Sequence, residues 1–186
     1  KGQRSVAIGN EALFSQNSAS AANLYNVGVG FQAMYTNTTG LNNTAIGALT
    51  LDRALEALTT GNSNVALGPG ALRTMTVGDR NTALGYEALR VSNVTSNADQ
   101  YNVAAGYQAG VLVTTGTNNT LIGGRAGDAI STGPHNVCLG SESGRSSIAI
   151  TTGTGNALLG TFSHTSTATT SYANGIGYDI NAAGQY

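Results

Sequence analysis

Cys138 follows His135 by three residues, and a thiol near an imidazole is the minimal pair for nucleophilic catalysis. Its context argues against that use. Cys138 occupies the middle of Val137-Cys138-Leu139, where a small residue recurs along the chain, so it reads as a packed substitute for alanine. His135 follows Pro134 in a turn, and His164 lies in a Thr/Ser-rich stretch. Neither has a second ligand at metal spacing, so both are expected to be exposed loop histidines rather than zinc ligands. Gly28-Val29-Gly30-Phe31-Gln32-Ala33 fits a loose dinucleotide-binding pattern but lacks the strand–helix–strand context that pattern needs. Gly123-Gly124-Arg125 lacks the Gly-Lys-Ser/Thr of a phosphate loop.

The nine acids are Glu11, Asp52, Glu56, Asp79, Glu87, Asp99, Asp128, Glu142 and Asp179, scattered singly along the chain. Glycoside cleavage needs two carboxylates at a set separation, and calcium-binding rolls need a repeated Gly-Asp pattern; neither is present. Glu87 and Glu142 share one position, two after a recurring glycine, and are expected to face solvent. These readings predict no enzyme, no catalytic residue, no cofactor and no metal. Phe31, Tyr86, Tyr107 and Tyr178 each directly follow a recurring glycine. They are candidate glycan-contacting aromatics, a strip able to stack on sugar rings; the competing reading is rim packing beneath long loops. Asn37, Asn42, Asn93 and Asn118 head Asn-x-Ser/Thr triplets that arise from the Asn-Thr repeat itself.

The elements that position these residues are set by that repeat. Ser5-Val-Ala-Ile-Gly9 returns as Asn26-Val-Gly-Val-Gly30, Asn43-Thr-Ala-Ile-Gly47, Asn64-Val-Ala-Leu-Gly68 and Asn81-Thr-Ala-Leu-Gly85. It continues through Gly106, Gly123 and Gly140, with two weaker copies ending at Gly160 and Gly177. The glycines are spaced 17 to 21 residues apart, and such a period signals a solenoid. Each copy alternates with period 2 and carries β-branched residues, so it predicts a short strand. The closing Gly bends the chain out of that strand. Asn opens eight of ten copies and would form an amide ladder between coils or cap the turn. A second small residue three after each Gly, such as Ala33, Ala71 or Ala88, predicts a second short strand per coil. Large residues follow it early (Leu13, Met34, Leu72, Leu89) and glycines later (Gly110, Gly127, Gly144), which reads as a tapering core. Loop length is expected to vary on one side of the stack, and Leu51 to Leu58 has the pattern of a helical turn or two within one long loop.

Composition agrees with a backbone-dominated repeat. Gly, Thr, Asn and Ser make up 84 of 186 residues and only 9% are charged, against roughly 25% in an ordinary soluble domain. A net charge of −1 without a basic cluster argues against nucleic acid, and no apolar run suits membrane insertion. One cysteine excludes an intrachain disulfide framework. The chain reads as one repeat domain over 1–186, a fragment of a longer fibre. Ordering about 17 residues costs roughly 1–2 kcal/mol each. A coil with two or three large aliphatics, at about 1.5–3 kcal/mol apiece, recovers little of that alone. The crowded small face then points to a close partner, and a closed homotrimer suits a solenoid.

The stretches Asn81-Thr-Ala-Leu-Gly-Tyr-Glu-Ala-Leu89 and Asn37-Thr-Thr-Gly-Leu-Asn-Asn-Thr-Ala-Ile-Gly47 resemble the head repeats of trimeric autotransporter adhesins. They resemble still more the related repeats of bacteriophage tail fibres and receptor-binding proteins. The resemblance covers residues 5 to about 180. It implies an all-β parallel β-roll or β-solenoid of about ten 17–21-residue coils, side by side as a homotrimer. It implies that Val6, Ile8, Val27, Val29, Val65, Leu67, Val137 and Leu139 fill the roll. Ala7, Gly28, Ala45, Ala66, Ala83 and Ala104 would then line the trimer seam. The implied function is a non-catalytic segment of a virion tail fibre that spaces or presents a host-receptor-binding tip. The alternative is a trimeric adhesin head on the bacterial outer surface, binding cell-surface glycan or matrix directly; the implied partners are further copies of the chain and a host cell-surface glycan or protein receptor. The coils here are longer than those of the bacterial heads, and Leu121 and Leu158 replace the small residue near the C-terminus.

Overall fold

A computed structural model describes residues 4–17, 23–47, 55–96, 98–145 and 150–183. The fold is an all-β solenoid with no helix among the described residues. Ten three-residue strands form one parallel sheet in chain order. They are β1 Val6–Ile8, β2 Val27–Val29, β3 Thr44–Ile46, β4 Val65–Leu67, β5 Thr82–Leu84, β6 Val103–Ala105, β7 Thr120–Ile122, β8 Val137–Leu139, β9 Ala157–Leu159 and β11 Asn174–Ile176. Each strand pairs with the next in the same register, as in Ala45 with Ala66 and Ala66 with Ala83. A second, two-stranded sheet pairs β10 His164–Thr165 with β12 Asn181–Ala182.

The register glycines keep this stacking in phase. Gly85 has φ +127°, and a Cβ there would stand 2.6 Å from the carbonyl oxygen of Gly106 in the coil above. Backbone thus meets backbone where any side chain would separate the coils. Beyond the glycines the chain curls rather than extends, among the described residues. Glu87 and Leu89, two and four residues after Gly85, both have φ near +50°, and Gln32 and Met34 repeat this after Gly30. The expected second strand per coil is therefore a run of turns, although its backbone still bonds from coil to coil, as Leu72 N–H to Ala88 O. Among the described residues, only β10 and β12 are strands on that side.

The expected amide ladder is present. Asn26, Asn43, Asn64, Asn81, Asn102, Asn119, Asn136 and Asn156 are all buried. Asn119 shows the unit. Its backbone N–H donates to Asn102 Oδ1 (3.0 Å), and its Nδ2 donates to Asn102 Oδ1 and to Gly133 O (3.2 and 3.0 Å). Its own Oδ1 accepts from the N–H and Nδ2 of Asn136. Every polar atom of the amide is used, so burial carries no desolvation penalty left unmatched. Ser5 opens the ladder by accepting from Asn26 N–H, and Ala173 closes it by donating its N–H to Asn156. Turn threonines form a second ladder, with Thr38 and Thr59 hydroxyls donating to Thr59 O and Thr76 O.

Which strand face lies inside is the reverse of the expected one. Gly28, Ala45, Ala66, Ala83 and Ala104 are buried within the chain's own coil. They cannot line a seam with other chains. Ala7, in the first coil, is exposed. The roll is filled instead from the opposite wall by Leu13, Met34, Leu55, Leu72 and Leu89, in one cluster with the alanines. A Cβ on Gly28 would meet Leu13 Cγ at 3.1 Å, which shows how little space remains beneath the strand. Val6, Ile8, Val65 and Leu67 are exposed, and Val27, Val29, Val137 and Leu139 are half-buried; none fills the roll.

Two further expectations change. The core does not taper. Where the turn carries Gly110 and Gly127, the strand carries Leu121, whose methyls occupy the space a Cβ on either glycine would need. Nor do the longer coils all lengthen at one side. Leu55, eight residues after Gly47, bonds to Ala71, three after Gly68, so four residues are added before Leu55. Asn93 and Thr114, each eight after its glycine, are still paired, so the next insertion falls after Asn93. Of the expected helical turn at 51–58, residues 51–54 lie outside the described residues and Leu55–Ala57 form a turn.

Candidate functional site

Inverting the strands turns the aliphatic side chains outward. One column, directly before each register glycine, runs Ile8, Val29, Ile46, Leu67, Leu84, Ala105, Ile122, Leu139, Leu159 and Ile176. A parallel column opens with Val6 and then alternates Val and Thr from Val27 to Val137. Leu67 is 44% and Ile122 43% exposed, although both lie in the interior of a ten-stranded sheet. Coils stacked about 4.8 Å apart make this a flat, ranked apolar face on the order of 45 Å long. A soluble chain rarely leaves so long an apolar surface without a use.

The expected aromatic strip is not continuous. Tyr86 and Tyr107 stack at 5.5 Å with rings 9° apart, and the Arg125 guanidinium lies 5.8 Å above the Tyr107 ring. Tyr178 meets Phe162 edge-on at 5.7 Å in the last coil, and Phe31 is exposed far from both, in the second. The structure thus brings together two of the four candidates. It adds a stacked pair, Phe14 on Tyr35, at positions five after the glycines. The signal for that pair was the shared offset within the repeat.

Beside Gln108, on the same turn edge, coils from Gly85 to Gly140 carry a groove of about 570 Å³. Its charged residues are scattered along the sequence, but the coil brings them together. Arg145 bridges Asp128 (2.7 Å) and Glu142 (2.9 Å), and Arg90 pairs with Glu87 (3.1 Å). Glu87, expected in solvent, is buried beneath Arg90 and accepts a 2.7 Å hydrogen bond from Gln108 Nε2. Burial pushes the Asp128 carboxyl above its ordinary range, against the pull of Arg145 and Arg125.

Cys138 is buried as expected, and burial pushes its thiol up to about 12. His135 is exposed in its turn. His164 is not an exposed loop residue; it lies in β10, buried, with Nε2 3.9 Å from Asp179 Oδ1. The short return strand β12 covers it, and no repeat signal marks that strand. Among the described residues, no three His, Cys, Asp or Glu side chains cluster to hold a metal, and no helix is long and apolar enough to cross a membrane. No protein-family model, no curated protein and no solved structure matches the chain.

Proposed function

We propose that this chain is a structural segment of a surface appendage such as a virion tail fibre. In this reading its copies associate side by side as a homotrimer, and the rod spaces or presents a host-receptor-binding tip. The observation that supports it is the ranked apolar face of the sheet. Copies around a common axis would bury the Leu67 and Ile122 column along its whole length, and a closed symmetric assembly leaves no such face in water. The reading is non-catalytic: the thiol is buried and protonated, and each carboxylate in and beside the groove is engaged by a guanidinium. The seam lies on the outward Val/Ile/Leu columns, not on the alanines. Sedimentation of a Leu67→Asp, Ile122→Asp variant tests it. The expected result is folded monomer; an undisturbed oligomer overturns the placement.

A second reading is favoured by the stacked Tyr86 and Tyr107. Here the segment itself adheres to a host cell-surface glycan or protein receptor, as an adhesin head on a bacterial surface would.

A further inference from the structure

The groove on the turn edge has a shape set by side-chain length. Positions five and six after the register glycine carry Arg90 in one coil, Val111 and Leu112 in the next, Asp128 and Ala129 in the third, and Arg145 in the fourth. Long side chains stand at both ends and short ones lie between. The result is a notch elongated along the solenoid axis and bounded at its ends by the two arginines, with an apolar floor on which Leu112 is 46% exposed.

Its polar groups are held but not used up. Arg145 is tied to Asp128 and Glu142, Glu87 to Arg90 and Gln108, and Arg125 also acts on Asp128, so three cations face three carboxylates in and beside the wall. Such a wall exerts little pull on an ion. It still presents guanidinium N–H donors and carboxylate and amide oxygens in fixed positions, since both Arg90 and Arg145 are about one-third exposed. A ligand suited to it carries groups that donate and accept at once and has an uncharged C–H face for the floor. Those are the properties of a hydroxyl-bearing sugar ring. The first and fourth coils stand roughly 14 Å apart, so the floor between the two arginines takes one or two such rings.

We propose that this groove binds a neutral oligosaccharide, lying along the solenoid axis over Val111, Leu112 and Ala129. Hydroxyls bond Gln108, Asp128, Glu142 and the two arginines. This rests on the adhesion reading of the same edge, and it does not depend on self-association.

The experiment screens the chain on an array of neutral and acidic oligosaccharides, then titrates a neutral binder into variants by calorimetry. Leu112→Arg fills the notch from an exposed position, so it leaves the melting temperature unchanged and weakens binding about tenfold or more. Ala129→Arg, at the next coil, repeats the effect should Leu112→Arg disturb folding, and Tyr25→Ala, exposed in the first coil, binds as the parent. Binding that survives both groove variants but is lost in Tyr107→Ala overturns the groove and leaves the adhesion reading standing. A blank array overturns both, and binding confined to acidic glycans overturns the ligand class.

Discussion

A Cβ placed on Gly127 would stand 2.6 Å from Cδ2 of Leu121, and one placed on Gly110 would stand 2.6 Å from its Cδ1. Earlier coils divide the same space the other way, with Ala83 on the strand and Leu89 on the turn. Interior volume is therefore exchanged across the coil rather than lost. Leu121→Ala alone is expected to cost about 2–5 kcal/mol through the cavity it leaves. Gly127→Leu alone is expected to destabilise by overpacking, about 1–3 kcal/mol. The double variant should be more stable than the sum implies, because leucine already tolerates this backbone at Leu89 (φ 50°). Urea unfolding of the four proteins measures the coupling, and strictly additive losses would refute the exchange.

The amide ladder gives a second expectation. Asn119→Ala removes acceptors for Asn136 and a donor to Gly133 in a fully buried column. Several buried groups are left unpaired at once, so a loss of about 3 kcal/mol or more is expected. Asn10→Ala, at an exposed turn position, should cost far less. Chemical denaturation compares the two, and equal losses would show that the ladder contributes nothing special.

How much of this is legible in the residues depends on what each position must do. The register glycines announce themselves because no other residue permits the approach of Gly85 to Gly106. The asparagines do so because one amide can serve three neighbours only when stacked. The strand faces do not. Val-Ala-Ile alternates with period 2 whichever side is inward, and the choice is made by Leu72 and Leu89 arriving from the far wall. The groove is hidden for a different reason. Arg90, Asp128 and Arg145 hold one position in the coil, but the four-residue insertion after Asn93 breaks the regular spacing between Arg90 and the other two.

The cysteine offers a check on the interior. Its thiol, pushed up to about 12 by burial, has almost no thiolate at pH 8. A thiol reagent at that pH should leave Cys138 unmodified in the folded chain and react at once in denaturant. Rapid labelling of the native protein would place Cys138 outside the core.

Asp128 predicts a pH effect with a definite sign. Its carboxyl is raised above 3.8, so the folded state holds that proton more tightly than the unfolded chain. The resulting stability is full below 3.8 and is lost as pH rises through the raised value. Arg145, Arg125 and Glu142 are the charges that face it. Asp128→Asn should therefore melt higher than the parent at pH 7, and the two should converge in acid. A parent that is more stable at pH 7 and less so in acid would reverse the sign.

The outward columns carry the central claim, and the mass in solution tests it most directly. Multi-angle light scattering of the unaltered chain, whose subunit is 18.7 kDa, is expected to give three times that mass together with a full β signal by circular dichroism. A stable 18.7 kDa monomer with the same β signal would contradict it, because the Leu67 and Ile122 face would then stand in water unaided.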